Sequence, residues 1–439
     1  MSQSFQNVCV ILLVNILFYW KTIYFDYISD DIPSSQRNHP ENPFVWALWV
    51  LEGRLKYKKD VDHAITLLLH ALVGVGIYLG FGANNVSFVA ALLFGFNPIN
   101  NQGAVWISGR GYVLSALGMV WALALPMEMG GLMLLGATYS NAGFFMPLAL
   151  IGSNHPYLLV FMPLVWMFHV ENFRKNVNNK IKIEMFEEDK LVHPKKLILA
   201  TKTFGFYLSH SLIPFKTTFY HSLLESIAGA NVKKAYTLCR YFWFGAVSIV
   251  IMVGYVCTHK WDMVCFGMLW WCVGISPFLN LFRMQQEIAE RYAYLPNIGL
   301  MFVVAQLISS NPYLVAGLVM MYATKTFFYI DGYKEDFILT EFSRVNSLDS
   351  WFGWHIGAMK RFEKQSFQEA LLFWMEALKI SPNEFKVLYN IAVTLKSCGQ
   401  PKEAEKYIEM AAKSIPQGQE KAIEMILWNF KRGQLTVLI

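Results

Sequence analysis

Apolar residues dominate the chain up to about residue 330, in blocks separated by shorter polar stretches; beyond that point charged and apolar positions alternate at a helical period. A helix needs about 20 residues to cross the hydrocarbon of a bilayer, with roughly 17 to 25 observed. That ruler predicts eleven spans, near 7–25, 62–81, 86–100, 109–127, 130–152, 156–170, 199–214, 238–257, 262–282, 293–309 and 312–330. The blocks 86–100 and 199–214 are short and also suit re-entrant or interfacial segments. The expected class is all-α: a polytopic helical membrane domain over 1–330, then a small helical region in water.

The tail repeats itself. Ala370, Ala377 and Pro382 recur 34 residues later as Ala404, Ala411 and Pro416, and Glu369 recurs as Glu403. Small residues where two helices cross, with Pro after the second helix, are the signature of a tetratricopeptide (TPR) repeat at that period. Trp354 and Leu388 fill one bulky slot in successive first helices, and Gly399-Gln400-Pro401 makes the turn between helices. Residues 351–439 are therefore expected to form a short TPR solenoid, with Gln419–Lys431 as a capping helix and 331–350 as a linker helix packed on the repeats. Its first helices offer Trp354, Lys360, Tyr389, Asn390 and Lys396 to a groove that would dock a protein acceptor.

Composition sharpens the first reading. The 439 residues are 55% hydrophobic and only 15% charged, where a soluble chain carries charge nearer a quarter. The 16% aromatic share fits interfacial belts. The net charge of +6 includes no basic stripe of the kind that nucleic acid requires. Six cysteines without a CxxC pair indicate neither a zinc site nor a disulfide framework. The first apolar block lacks a basic leader and a cleavage site, so it reads as a retained span. The densest basic stretch, 171–202, belongs in the cytoplasm by the positive-inside rule. Counting spans from it puts the N-terminus inside, and the loops 26–61 and 285–295 and the tail outside. Arg54, Lys56, Lys58 and Lys59, in the supposed outer loop, count against that orientation.

Polar groups at span boundaries are costly and form the candidate list. Asp30 and Asp31 follow the first span, and one of them can serve as a general base or both can cap a turn. Asn97, Asn100, Asn101 and Gln102 make an amide-rich turn suited to sugar hydroxyls, or an ordinary polar hairpin, and Arg110 at its end can hold an anion. Arg291 in Glu290-Arg291-Tyr292 is made for bidentate capture of a lipid phosphate, or snorkels while paired with Glu290. His63 and His70 lie two helical turns apart, too far for one metal.

These blocks, in this order, carry a resemblance. Asp30-Asp31, "DHAITLLLHAL" (62–72), "ALLFGFNPINNQGAVWISGRGYVLSAL" (91–117), "YLSHSLIPFKTTFYH" (207–221) and "ERYAYLPNIGL" (290–300), followed by the repeats, resemble the transmembrane-and-TPR protein O-mannosyltransferases and their bacterial relatives. That resemblance implies a GT-C glycosyltransferase fold. It implies transfer of mannose or another hexose from a polyprenyl-phosphate donor to a protein hydroxyl outside the cytoplasm. It makes Asp30 or Asp31 the base and Arg291, with Glu290, the donor-phosphate contact. On their own chemistry Arg110 is expected to join the phosphate contacts, and Asn97, Asn100, Asn101, Gln102, His63 and Tyr292 to contact substrate. No metal or other cofactor is expected, because Arg and neutral donors can stabilise a leaving phosphomonoester. The family often shows His-Pro-Ile/Val-His and then Thr-Glu-Ala-Val where this chain has Asn97-Pro98-Ile99-Asn100 and Asn101-Gln102-Gly103-Ala104, so the particular sugar and acceptor are not carried over. The rival readings are a non-catalytic membrane anchor presenting a TPR surface, and a ligase or polymerase moving lipid-linked glycan onto glycan.

Overall fold

The structure, a computed structural model, describes every residue except 1, 35–41, 135–145, 154, 168–193, 215, 222–236, 282–287, 349, 415–419, 434 and 439. All regular structure among the described residues is helical. Five helices are long and apolar enough to cross a bilayer: Gln3–Tyr24, Lys59–Gly80, Ile107–Ala124, Arg240–Thr258 and Pro312–Tyr333. Others fall short of the expected spans. Asn85–Phe96 has 12 residues, Met263–Ile275 has 13 and Tyr294–Ile308 has 15. At about 1.5 Å per residue these reach roughly 18 to 23 Å, less than the ~30 Å of hydrocarbon. The predicted spans 130–152 and 156–170 contain the short pieces Met127–Leu134, Met146–Gly152 and Pro156–Phe161, and parts of both lie outside the described residues. So does most of the basic stretch 171–202.

Burial separates the helices by role. Lys59–Gly80 is central, with one side chain after another buried against Gln3–Tyr19, Asn85–Phe96 and Arg110–Ala124. Asn85–Phe96 is started by a capping box: the Asn84 side chain accepts from Ser87 N at 2.9 Å and Ser87 Oγ accepts from Asn84 N at 3.0 Å. Arg240–Thr258, in contrast, leaves Val247, Val250, Ile251 and Val253 exposed. A helix with so much bare aliphatic surface is stable against lipid and not against water. The chain is a membrane protein.

Arg240–Thr258 is held by Pro194–Leu212 through facing glycines. A Cβ on Gly205 would run into the Tyr241 carbonyl and sit 2.7 Å from Gly245 N, and one on Gly245 would run into the Thr201 carbonyl. The backbones meet there as small residues allow in membranes. Gly205→Ala is expected to push the pair apart at a cost of about 1–3 kcal/mol, read as a lowered thermal midpoint in detergent. An unchanged midpoint would show that the contact is dispensable.

After Pro312–Tyr333 the helix Asp336–Asn346 leads into five amphipathic helices: Trp351–Glu363, Phe367–Ile380, Phe385–Ser397, Pro401–Lys413 and Glu420–Lys431. The first and third share a length of 13 residues and start 34 apart, as do the starts of the second and fourth. Ala370, Ala377, Ala404 and Ala411, the four repeated alanines, are all buried where these helices meet. In this core Trp374 Nε1 donates to His355 Nδ1 at 3.2 Å. Burial, with the Lys386 charge acting in the same direction, pushes the His355 imidazole down to about 3. Between pH ~6.5 and ~3 the unfolded chain therefore binds a proton that the folded chain refuses, so stability is lost as pH falls through that window. His355→Gln should flatten this acid limb in hydrogen-exchange protection of 351–413. A limb as steep as the parent's would rule His355 out as its source.

Candidate active site

The acid turn is folded by its own backbone. Ser29 takes a left-handed φ of 49°, and its N–H donates to Asp336 Oδ1 at 2.8 Å, fixing the turn against the helix that follows the last long span. The chain then enters the short helix Asp31–Ser34. The two aspartates diverge at this point. Asp30 is exposed, whereas Asp31 is completely buried. Asp31 Oδ1 accepts from Ser108 N at 2.9 Å and Ser108 Oγ at 2.5 Å, and pairs with Lys56 Nζ at 3.2 Å. Lys56, equally buried, also donates to the Gly53 carbonyl and to Ser108 Oγ at 3.1 Å. Burial draws the Lys56 ammonium below its ordinary range, and the Asp31 charge opposes that. The positive cluster in the first loop is largely spent on neighbours: Lys56 on Asp31, Lys59 on Asp26, and Arg54 on Glu52 at 2.7 Å.

Behind this pair lies a carboxylate that sequence reasoning passed over. Asp62 is fully buried; its Oδ2 accepts from Tyr27 OH and Tyr57 N, both at 2.8 Å, while Oδ1 has no hydrogen-bond partner. Burial first, and then the Asp62 contact, hold the Tyr27 phenol above its ordinary value. Asp62 stood in a quoted block directly before an apolar run, and that position was the available signal. Arg110 faces the same region, but its donors go to Thr66 Oγ1 (3.0 Å) and to the carbonyls of Val50, Leu51 and Asp62. It ties the first loop to the start of Lys59–Gly80. His63 is buried beside Phe25, with ring centroids 6.4 Å apart.

The amide turn faces inward. Asn97 Nδ2 donates to Ser211 O at 2.8 Å, Asn100 Nδ2 donates to Phe94 O at 2.8 Å, and Asn297 Nδ2 donates to Asn100 Oδ1 at 3.3 Å. Asn101 Oδ1 accepts from Tyr19 OH at 3.4 Å. All three are fully buried and join four helices, so burial has turned them from surface amides into core linkers. Gln102 is the exception in kind. Its Nε2 donates to Phe219 O at 3.2 Å, and its Oε1 accepts from Arg291 N at 3.1 Å and from Arg291 Nη1 at 3.4 Å.

Arg291 lies in the short turn Glu290–Ala293 that opens Tyr294–Ile308. Its guanidinium sits 5.2 Å from the Trp106 ring, 6.0 Å from Tyr112 and 5.0 Å from Tyr292. Tyr292 itself stacks flat on Phe278, with centroids 4.4 Å apart. Glu290 turns away from its neighbour: Oε1 accepts from Thr218 N at 2.6 Å and pairs with His221 Nε2 at 2.9 Å, while Oε2 has no hydrogen-bond partner. Burial holds this carboxyl well above its ordinary value, against the pull of the Thr218 N–H. Tyr220 lies between the two regions. Its phenol is raised by burial and by Asp336, with Asp30 adding to the rise and Arg291 opposing it.

A single stretch links the Arg291 region to the buried Asp31–Lys56 pair. Residues 102–108 meet Arg291 through Gln102 and Trp106, and Asp31 and Lys56 through Ser108.

One comparison bears on this arrangement. Human protein O-mannosyl-transferase TMTC3 is 21% identical to this chain across 91% of it and 54% of the relative. The chain spans about half the length of that curated relative. No family model and no solved structure matches it.

Lys56, Ser108, Trp106, Tyr112 and His221 complete the site and were not singled out in the sequence. Lys56 was visible only as one of several loop cations, and Ser108 and Trp106 only as members of a quoted block. Nothing in the linear pattern distinguishes them, because their role comes from contacts across 52 to 185 residues.

Proposed function

We propose that this chain is a GT-C-type glycosyltransferase. It moves mannose or another hexose from a polyprenyl-phosphate donor to a hydroxyl of a protein acceptor, with the acid turn and the TPR tail on the extracytoplasmic side. The observation that carries this reading is the stretch 102–108, which bridges the acid turn and Arg291. The distant likeness to a protein O-mannosyl-transferase supports it.

Asp30 is the base. It is the exposed member of the pair and so the one an acceptor hydroxyl can reach, whereas Asp31 is consumed by Ser108 and Lys56 and positions the turn. Asp30 takes the hydroxyl proton, and the freed oxygen attacks the anomeric carbon from the face opposite the phosphate. The carbon–oxygen bond to phosphate breaks, and its electron pair leaves with the lipid phosphate. Arg291, held among three aromatic rings, receives the growing phosphate charge; a guanidinium desolvated in this way stabilises charge more strongly than one in water. The product has inverted configuration. Polyprenyl-phosphate mannose and a Ser/Thr-rich acceptor, supplied to the protein in lipid vesicles, should yield one α-to-β inverted or β-to-α inverted sugar on the acceptor for each lipid phosphate released. Donor hydrolysis without acceptor labelling would overturn the reading.

A further inference from the structure

Residues 435–438 follow the last helix of the tail and lie along the Phe385–Ser397 helix. Asn390, completely buried on that helix, holds one residue of the segment with both ends of its amide. Its Nδ2 donates to Leu438 O and its Oδ1 accepts from Leu438 N, both at 2.8 Å. One side-chain amide can bond the N–H and the C=O of a single residue only when both point the same way, as in an extended strand. The neighbours agree: Leu435, Val437 and Leu438 are partly buried in the tail core while Thr436 is exposed. Beside the segment Lys396 Nζ donates to Phe430 O at 2.8 Å, closing the end of the face.

We infer that this face is a binding site for an extended polypeptide with apolar side chains, filled here in cis by residues 435–438. Main-chain bonds to Asn390 supply sequence-tolerant affinity, and the apolar slots under Leu435, Val437 and Leu438 select the side chains. A tethered occupant acts at an effective concentration near millimolar, so it excludes a free peptide of equal intrinsic affinity until it is displaced. The inference does not depend on the transfer reaction, because binding is measured without a donor.

The test uses the full chain in detergent and a labelled peptide, Gly-Gln-Leu-Thr-Val-Leu, followed by fluorescence anisotropy. Leu438→Pro removes the N–H that Asn390 Oδ1 accepts and should raise peptide affinity by about tenfold or more over the parent chain. Asn390→Asp, added to that variant, keeps the acceptor but loses the donor and should abolish the gain. The same peptide N-methylated at its last leucine should not bind. If Leu438→Pro loosens the tail, millimolar peptide should restore its thermal midpoint and the N-methylated peptide should not. The inference is overturned by equal peptide affinity of parent and Leu438→Pro, by binding that survives Asn390→Asp, or by a loosened tail that peptide does not restore; each leaves 435–438 as a structural strap only.

Discussion

Asp30→Asn should lower transfer by about 10²- to 10⁴-fold, the range lost with a general base, while the thermal midpoint stays within a degree or so of the parent's. Asp30 is exposed, so removing its charge leaves the buried packing as it was. Asp31→Asn should behave differently, although the two residues are adjacent. It strips Lys56 of its carboxylate partner in a place water does not reach, and breaking a buried pair in this way typically costs about 3–5 kcal/mol. Transfer then falls because the turn is lost. Asp31→Asn combined with Lys56→Met should recover much of the stability, since a buried charge is no longer stranded. The measurement is a thermal melt beside a donor-to-acceptor assay for all three variants. Full activity in Asp30→Asn would remove Asp30 as the base. An unchanged melt in Asp31→Asn would remove the buried pair as a structural element.

Arg291→Ala should weaken the lipid-linked donor by about 10- to 100-fold, the equivalent of a charge-assisted contact worth roughly 1.5–3 kcal/mol, with little change in acceptor dependence. Gln102→Glu offers an opposite approach to the same group. It places a carboxylate where Oε1 now accepts from the Arg291 backbone and side chain, so the guanidinium is neutralised from within and donor affinity drops with Arg291 still present. Arg291→Lys should rescue only partly, because an ammonium cannot lie flat between the Trp106 and Tyr292 rings. Donor titration by quenching of the site's tryptophan fluorescence separates these cases. Unaltered donor affinity in both Arg291→Ala and Gln102→Glu would leave Arg291 a packing residue.

Much of this protein was legible from local pattern. The unbroken apolar blocks require helices in lipid, since within a single segment only a helix satisfies its own backbone hydrogen bonds there, and the 34-residue recurrence of small residues is matched by tail helices whose starts recur at the same spacing. Helix lengths were less legible. Asn85–Phe96 ends early because Asn97-Pro98 turns the chain, whereas Tyr294–Ile308 begins within a residue of the expected start, just after the turn at Glu290–Ala293. Residue type also named the acid pair and Arg291 as candidates, because charge at a span boundary is conspicuous in any sequence.

Only the tertiary structure decided how each of them is used. Asp30 and Asp31 are the same residue type one position apart, and only the approach of Lys56 and Ser108 makes one a buried anchor and leaves the other open. Asn97, Asn100 and Asn101 resembled surface amides until four helices closed over them, and Arg110 resembled an anion site until backbone carbonyls took its donors. Asp62, not noticed in the linear reading, is a fully buried carboxylate behind the turn. The physical reason is common to all of these. Apolar periodicity and propensity act over a few residues and can be read along the chain, whereas desolvation and charge pairing depend on groups 50 to 190 residues away, and it is those that set what a polar side chain can do.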